Sequence, residues 1–150
     1  MKANKGFTLV EILIVVVILG ILAAIVIPQF TEASTEAKTS SLCTDLQTVR
    51  SQIELYKIQH NDDLPSMALV TFGSKQVNGL TGVTLIDGTQ VAAGTSSSYG
   101  PYLQKIPTNQ FTDKSDVGID GTAGDDSAGW EFNTTTGAFN ADDTPAHAAL

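Results

Sequence analysis

Lys5-Gly6-Phe7-Thr8-Leu9-Val10-Glu11-Ile12-Leu13-Ile14-Val15-Val16-Val17-Ile18-Leu19-Gly20-Ile21-Leu22-Ala23-Ala24-Ile25-Val26-Ile27-Pro28-Gln29-Phe30 is the stretch on which the fold turns. From Phe7 to Phe30 it runs for 24 residues with a single charge, Glu11. As an α-helix rising about 1.5 Å per residue it would reach about 36 Å, enough to cross the hydrocarbon core of a bilayer. Lys2 and Lys5 precede the run and Glu32 and Glu36 follow it, so the positive-inside bias predicts a cytoplasmic start with the rest of the chain across the membrane. A cleaved secretory signal would have a shorter apolar run, about 7–15 residues, closed by small residues at the cut. Here Ala23 and Ala24 are followed by Ile25, Val26 and Ile27, so the segment is expected to remain as a spanning helix.

Glu11 is the anomaly in that helix. A carboxylate inside an apolar span costs a few kcal/mol and calls for a partner. Lys5 is six residues away, a poor spacing for a helix, whose neighbours on one face lie three or four apart. A cut between Gly6 and Phe7 would create a new amino group on Phe7, at the edge of the apolar helix. In a packed array that cation can meet Glu11 of the next subunit, neutralising both charges and marking the register. Pro28 removes the helical bond to the carbonyl of Ala24 and crowds that turn. It predicts either a kink near Ala24 to Pro28 or the place where the helix leaves the membrane.

The segment Lys5-Gly6-Phe7-Thr8-Leu9-Val10-Glu11, with its apolar run and Pro28, resembles the class III leader and first helix of type IV pilins and type II secretion pseudopilins. The resemblance implies that a prepilin peptidase and N-methyltransferase cuts after Gly6 and methylates Phe7, and that Glu11 guides assembly. It also implies a homopolymer in contact with an inner-membrane assembly platform and minor pseudopilins, with the subunit held in the membrane before assembly. The expected organisation is a leader at 1–6, a membrane and assembly helix at 7–30, an amphipathic helix at 31–60 and a β-rich head at 61–150. Removing the leader takes away Lys2 and Lys5 and leaves a more acidic subunit.

Beyond Phe30 the composition turns to Thr, Glu, Ala and Ser, with no Gly or Pro before Pro65, so the helix is expected to continue to about His60. Its full length, on the order of 80 Å, exceeds what a lone domain of 150 residues needs and implies a stalk. Leu42, Leu46, Val49, Ile53 and Tyr56 recur at spacings of four, three, four and three, which draws one apolar stripe. Cys43 lies beside it as a small packed residue. As the only cysteine it excludes an internal disulfide, and with it the terminal disulfide loop frequent in surface pilins.

Eleven of the thirteen glycines fall between Gly73 and Gly137, among short β-branched or aromatic runs, which predicts turn-rich β structure. Val83–Ile86, Asp87-Gly88 and Thr89–Val91 read as a tight hairpin. Trp130–Asn133, a threonine turn ending at Gly137, and Ala138–Asn140 read as a second. Trp130, Phe132 and Phe139 would face the Leu42 to Tyr56 stripe. The expected fold is α+β: a long N-terminal helix packed on a small antiparallel head, pilin-like. The stretch Tyr99-Gly100-Pro101-Tyr102-Leu103 through Pro107 to Phe111 resembles the Gly-Pro-Tyr-Leu segment of the major pseudopilin, the G subunit, with Gln110 at a usual proline. Physically it reads as a short helix opened by Pro101 and ended by Pro107, serving either packing or contact between subunits.

Asp113, Asp116, Asp120, Asp125 and Asp126 lie among Gly118, Gly121 and Gly124, an oxygen-rich stretch suited to calcium but off the EF-hand pattern. The resemblance implies a calcium loop in the head without assigning its ligands, and the simpler reading of the residues alone is a solvated acidic loop. Eight basic against sixteen acidic residues, with no basic cluster, argue against a nucleic-acid partner. His60 and His147 sit in no metal or nucleophile motif, and phosphate and dinucleotide loops are missing, so no catalysis is expected. His60 reads as a helix-end residue and His147 as a tail residue. The function implied is a structural subunit of a periplasmic pseudopilus for type II secretion. A type IV pilus subunit is the alternative, and a membrane-anchored binding head the rival from another class.

Overall fold

The computed structural model describes residues 6–72 and 75–150, so residues 1–5 of the expected leader lie outside the described residues. The chain divides into two compact units, Met1–Thr39 and Ser40–Leu150. One helix, α1 (Leu9–Gln59), contributes to both.

In the first unit, α1 starts at a reciprocal cap. The Glu11 N–H donates to Thr8 Oγ1 at 3.2 Å, and the Thr8 N–H and hydroxyl both donate to Glu11 Oε2 at 2.9 Å. This is the Thr-x-x-Glu capping box, which satisfies backbone donors that a helix start leaves without partners. The helix continues through Gly20 and Pro28, so Pro28 does not terminate it. Every residue from Gly6 to Lys38 is exposed. Among the described residues the unit has no buried core, and from Phe7 to Phe30 its surface is largely apolar, with Glu11 its one charge.

In the second unit, the buried residues of α1 are Leu42, Leu46, Val49, Ile53 and Tyr56, the stripe read from the sequence. They pack with Met67, Leu80, Trp130, Phe132, Phe139 and Ala141, and Leu64, Tyr102, Leu103, Ile106, Phe111 and Val117 close the edge. Charged residues stay off the stripe. Arg50 reaches across to donate to the Phe139 carbonyl at 2.9 Å and to Asn140 Oδ1 at 3.0 Å. The helix ends because Asn61 and Asp62 adopt left-handed backbone (φ 53° and 73°). The Asp62 N–H then closes on the Lys57 carbonyl at 2.9 Å.

Three small sheets complete the head. β1 (Val70–Phe72) pairs antiparallel with β2 (Lys75–Val77), and β3 (Val83–Thr84) with β4 (Gln90–Val91). β5 (Val117–Ile119), β6 (Trp130–Phe132) and β7 (Phe139–Ala141) form the third, with β6 central. A four-residue helix, α2 (Pro145–Ala148), follows. Both predicted hairpins form. The first has three loop residues rather than two: Gly88, at φ 78°, donates to the Leu85 carbonyl and Leu85 N–H to that of Thr89, both at 2.9 Å. That is a turn followed by a left-handed glycine.

Three details differ from expectation. β5 runs parallel to β6 rather than antiparallel, because the chain from Asp120 to Gly129 folds back as a crossover. Pro101 to Ile106 forms no helix. The N–H groups of Tyr102 and Leu103 both donate to the Leu80 carbonyl, at 2.9 and 3.0 Å, which ties this stretch to the neighbouring loop instead of to its own turn. His60 is a fully buried core residue rather than a simple helix end. Its ring stacks on Tyr56 at 3.7 Å, and its nitrogens meet the Tyr56 carbonyl and Thr84 Oγ1, each at 2.9 Å.

Candidate functional site

The expected processing and assembly residues lie together at the start of α1. Phe7 is 82% exposed. Gly6 is exposed as well, and nothing lies within 4 Å of where a Cβ would stand, so the Gly6–Phe7 bond is open to an enzyme. Glu11 takes its hydrogen bonds from its own Thr8. Thr8 was missed in the sequence reading, although Thr8-x-x-Glu11 ahead of an apolar run is a capping signature. The box explains how one subunit tolerates an acid here: backbone and hydroxyl donors stand in for a cation. One carboxylate oxygen, Oε2, takes both bonds, and an ionised carboxylate has about four acceptor sites. Glu11 therefore keeps capacity for a further donor.

Behind Glu11, α1 is long and apolar enough to cross a membrane by length and composition. Past Pro28 its character changes. Thr31, Thr35, Thr39, Thr44 and Thr48 each donate a hydroxyl to the carbonyl four residues back, at 2.8 to 3.2 Å. These hydroxyls are satisfied within the helix.

The five aspartates of the acidic loop do not converge. Among the described residues no group of three or more His, Cys, Asp or Glu is placed to hold a metal ion. Asp116 accepts from the Gly129 N–H at 3.2 Å and Asp125 from the Ser127 N–H at 3.0 Å. Asp120 binds the Thr134 N–H and hydroxyl at 2.8 and 2.6 Å, which holds its carboxyl below the usual range. Asp126 faces Lys114 Nζ at 3.3 Å, and Asp113 is an exposed turn residue with φ 56°.

The organiser of the loop is Asp142, fully buried and not foreseen in the sequence. Its carboxylate accepts from the N–H groups of Gly124 and Ala128, both at 2.8 Å, from Asp125 at 3.3 Å and from the Ser127 hydroxyl at 3.1 Å. Burial pushes its carboxyl up, but these donors outweigh burial and hold it below the usual value. Glu131 does the opposite. Burial raises it, only partly offset by the Gly121 N–H that it accepts, and Asp142, Asp125 and Asp120 add to the rise. A Cβ at Gly118 would run into the Glu131 carboxylate and one at Gly121 would press tightly on it, so the loop glycines make its room. His147 is more than a tail residue: it lies in α2, its Nδ1 meets Asp143, and its ring packs against Phe111 at 4.5 Å.

The family described as prokaryotic N-terminal methylation motif matches residues 1–27. The type II secretion system core protein G of Aeromonas hydrophila is 28% identical over 136 residues, covering 87% of this chain and 95% of that protein. The core protein G of Pseudomonas aeruginosa is 41% identical over 59 residues, covering 39% of this chain and 42% of that protein. A fimbrial protein of Pseudomonas aeruginosa is 36% identical over 88 residues, covering 59% of this chain and 56% of that protein. The chain thus spans about half the length of the last two relatives and nearly all of the first. No solved structure matches the chain. The methylation motif covers Gly6, Phe7 and Glu11, and the long apolar helix leads into an α+β head. The chain is thus similar to type II secretion pseudopilins and type IV pilins, and along most of its length to the core protein G of Aeromonas hydrophila.

Proposed function

We propose that the chain is a structural subunit of a periplasmic pseudopilus that drives type II protein secretion. A prepilin peptidase cuts after Gly6 and methylates Phe7. The subunit waits as a single-pass protein of the inner membrane, amino terminus cytoplasmic and head periplasmic. It then joins a homopolymer on an inner-membrane platform, with minor pseudopilins, and has no catalytic role. The observation that carries this reading is the apolar, fully exposed run from Phe7 to Phe30 with Glu11 as its one charge. Lipid can cover the apolar surface of one subunit, but only a neighbouring cation offers Glu11 an ionic partner in a dry environment. The terminal amine of Phe7, freed by the cut, is that cation.

The test is the mass and first residue of the protein isolated from its native membrane, combined with two variants. Loss of six residues with a methylated phenylalanine is expected. Glu11→Ala should still be cut and folded yet fail to polymerise, and Gly6→Ala should stay uncut. Retention of Met1, or normal polymers without Glu11, overturns the reading. The similarity to a fimbrial protein favours a second one, a type IV pilus subunit. Deleting the gene separates them: a pseudopilus subunit is needed for secretion, a pilus subunit for a surface fibre. Calcium in the acidic loop is a further proposal, resting on the oxygen-rich stretch from Asp113 to Asp126. A rise in the melting temperature with millimolar calcium is expected, and no rise ends the idea.

A further inference from the structure

Asn133-Thr134-Thr135 is the one Asn-x-Ser/Thr triplet in the chain, and the middle residue is not proline. That is the acceptor pattern for N-glycosylation, in which the hydroxyl two residues on is part of what the transferase reads. The pattern alone is common, so its placement decides whether it can act. Asn133 closes the hairpin between β6 and β7. Its N–H donates to the Ala138 carbonyl and its carbonyl accepts from Gly137 N–H, both at 2.9 Å. Its side-chain Oδ1 accepts from the N–H groups of Thr135 and Thr136, at 2.9 and 2.8 Å. The amide oxygen is thereby committed to the turn, and Nδ2 is the side-chain atom left for chemistry. Thr134, Thr135 and Thr136 are exposed and Asn133 is half-buried.

The other asparagines of the head offer a contrast. Asn78 and Asn109 are buried, and Asn140 is held by Arg50. Neither these nor the exposed Asn61 has Ser or Thr two residues on. Only Asn133 joins the triplet to an accessible turn. The turn is also anchored from outside, since Asp120 holds Thr134 by its N–H and hydroxyl. A sugar added at Asn133 would therefore project from a fixed point on the head without displacing any core residue.

We infer that Asn133 is an N-glycosylation site that accepts a glycan from a polyprenyl-diphosphate-linked donor. Nδ2 attacks the anomeric carbon of the first sugar and forms the C–N bond. The bond from that carbon to the diphosphate oxygen breaks, the polyprenyl diphosphate leaves with the bonding pair, and the amide proton passes to the transferase base. No oxidant or reductant is needed. The inference rests on the periplasmic placement of the head proposed above, because such donors present their glycan on that side of the membrane.

The experiment is peptide mass mapping of the full-length protein from its native membrane. A glycan mass on the peptide carrying Asn133, located on that residue by fragmentation, is expected. Asn133→Asp keeps an acceptor oxygen for the Thr135 and Thr136 N–H groups but has no amide nitrogen, so it should fold and lose the mass. Thr135→Ala should lose it as well with Asn133 intact, whereas Thr134→Ala should keep it. An unmodified Asn133 peptide, a glycan on the threonine hydroxyls, or retention in Thr135→Ala overturns the proposal. Leader removal and Phe7 methylation are read in the same spectra. An unmodified Asn133 beside a processed amino terminus therefore sinks this inference and leaves the pseudopilus reading standing.

Discussion

Asp142 and Glu131 are neighbouring acids with opposite consequences for the head. Asp142 is held below its ordinary value of 3.8, so its contribution is complete above that value and is lost as the pH falls through the folded-state pKa. Glu131 is raised above its ordinary 4.5, so its ionised form disfavours folding at neutral pH. That penalty is relieved as the pH falls through the raised value towards 4.5. The melting temperature of the full-length protein in detergent should therefore rise slightly on acidification from neutral and drop below about pH 4. Glu131→Gln should raise it at pH 7 and abolish the initial rise, because Gln keeps an oxygen for Gly121 without the charge. Asp142→Ala leaves the N–H groups of Gly124 and Ala128 without their acceptor and should cost about 1–3 kcal/mol at pH 7 by chemical denaturation. Neither residue stood out in the sequence. Asp142 and Glu131 are two acids among sixteen, and only the folding of the 120–129 crossover around them makes one a hub and the other a buried charge.

At the scale of the element, α1 carries two different surfaces along one helix. Its spacing pattern from Leu42 to Tyr56 was legible because helical geometry maps three- and four-residue steps onto one face. Leu46→Ala or Ile53→Ala, deep in the core at 1% and 2% exposure, should cost about 2–5 kcal/mol in denaturant unfolding. Ile58→Ala, at 80% exposure on the same helix, should stay within about 0.5 kcal/mol. A large effect at Ile58 would mean that something covers it. The hairpins were legible from Asp87-Gly88 and Gly137 because a tight reversal needs left-handed backbone, which glycine adopts without strain. The connector from Pro101 to Ile106 was not. Proline at a first helical position permits a helix without requiring one, and the Leu80 carbonyl claims the N–H groups that a turn would have used.

For the whole molecule, the decisive fact is the division into two compact units with different needs. Among the described residues every core residue lies in the unit Ser40–Leu150, from Leu42 to Ala141. A chain of residues 40–150 should therefore fold cooperatively in water without detergent, seen as a sigmoidal thermal melt with a buried Trp130 fluorescence signal. Among its described residues the unit Met1–Thr39 contributes none to that core, and its exposed apolar surface is unfavourable in water. An unfolded 40–150 fragment would show that α1 needs its amino-terminal half to support the head.

The sequence by itself determined the uncovered helix, the core stripe and the two hairpins. Each of these depends on local order: an unbroken apolar run, a fixed spacing, or a residue that alone tolerates a turn. Only the tertiary structure decided that β5 runs parallel to β6, that His60 is stacked inside the core, and that Asp142 rather than Asp113 or Asp116 organises the acidic loop. Those outcomes depend on which distant backbone donors and rings come to lie beside a side chain, and no spacing along the chain encodes that.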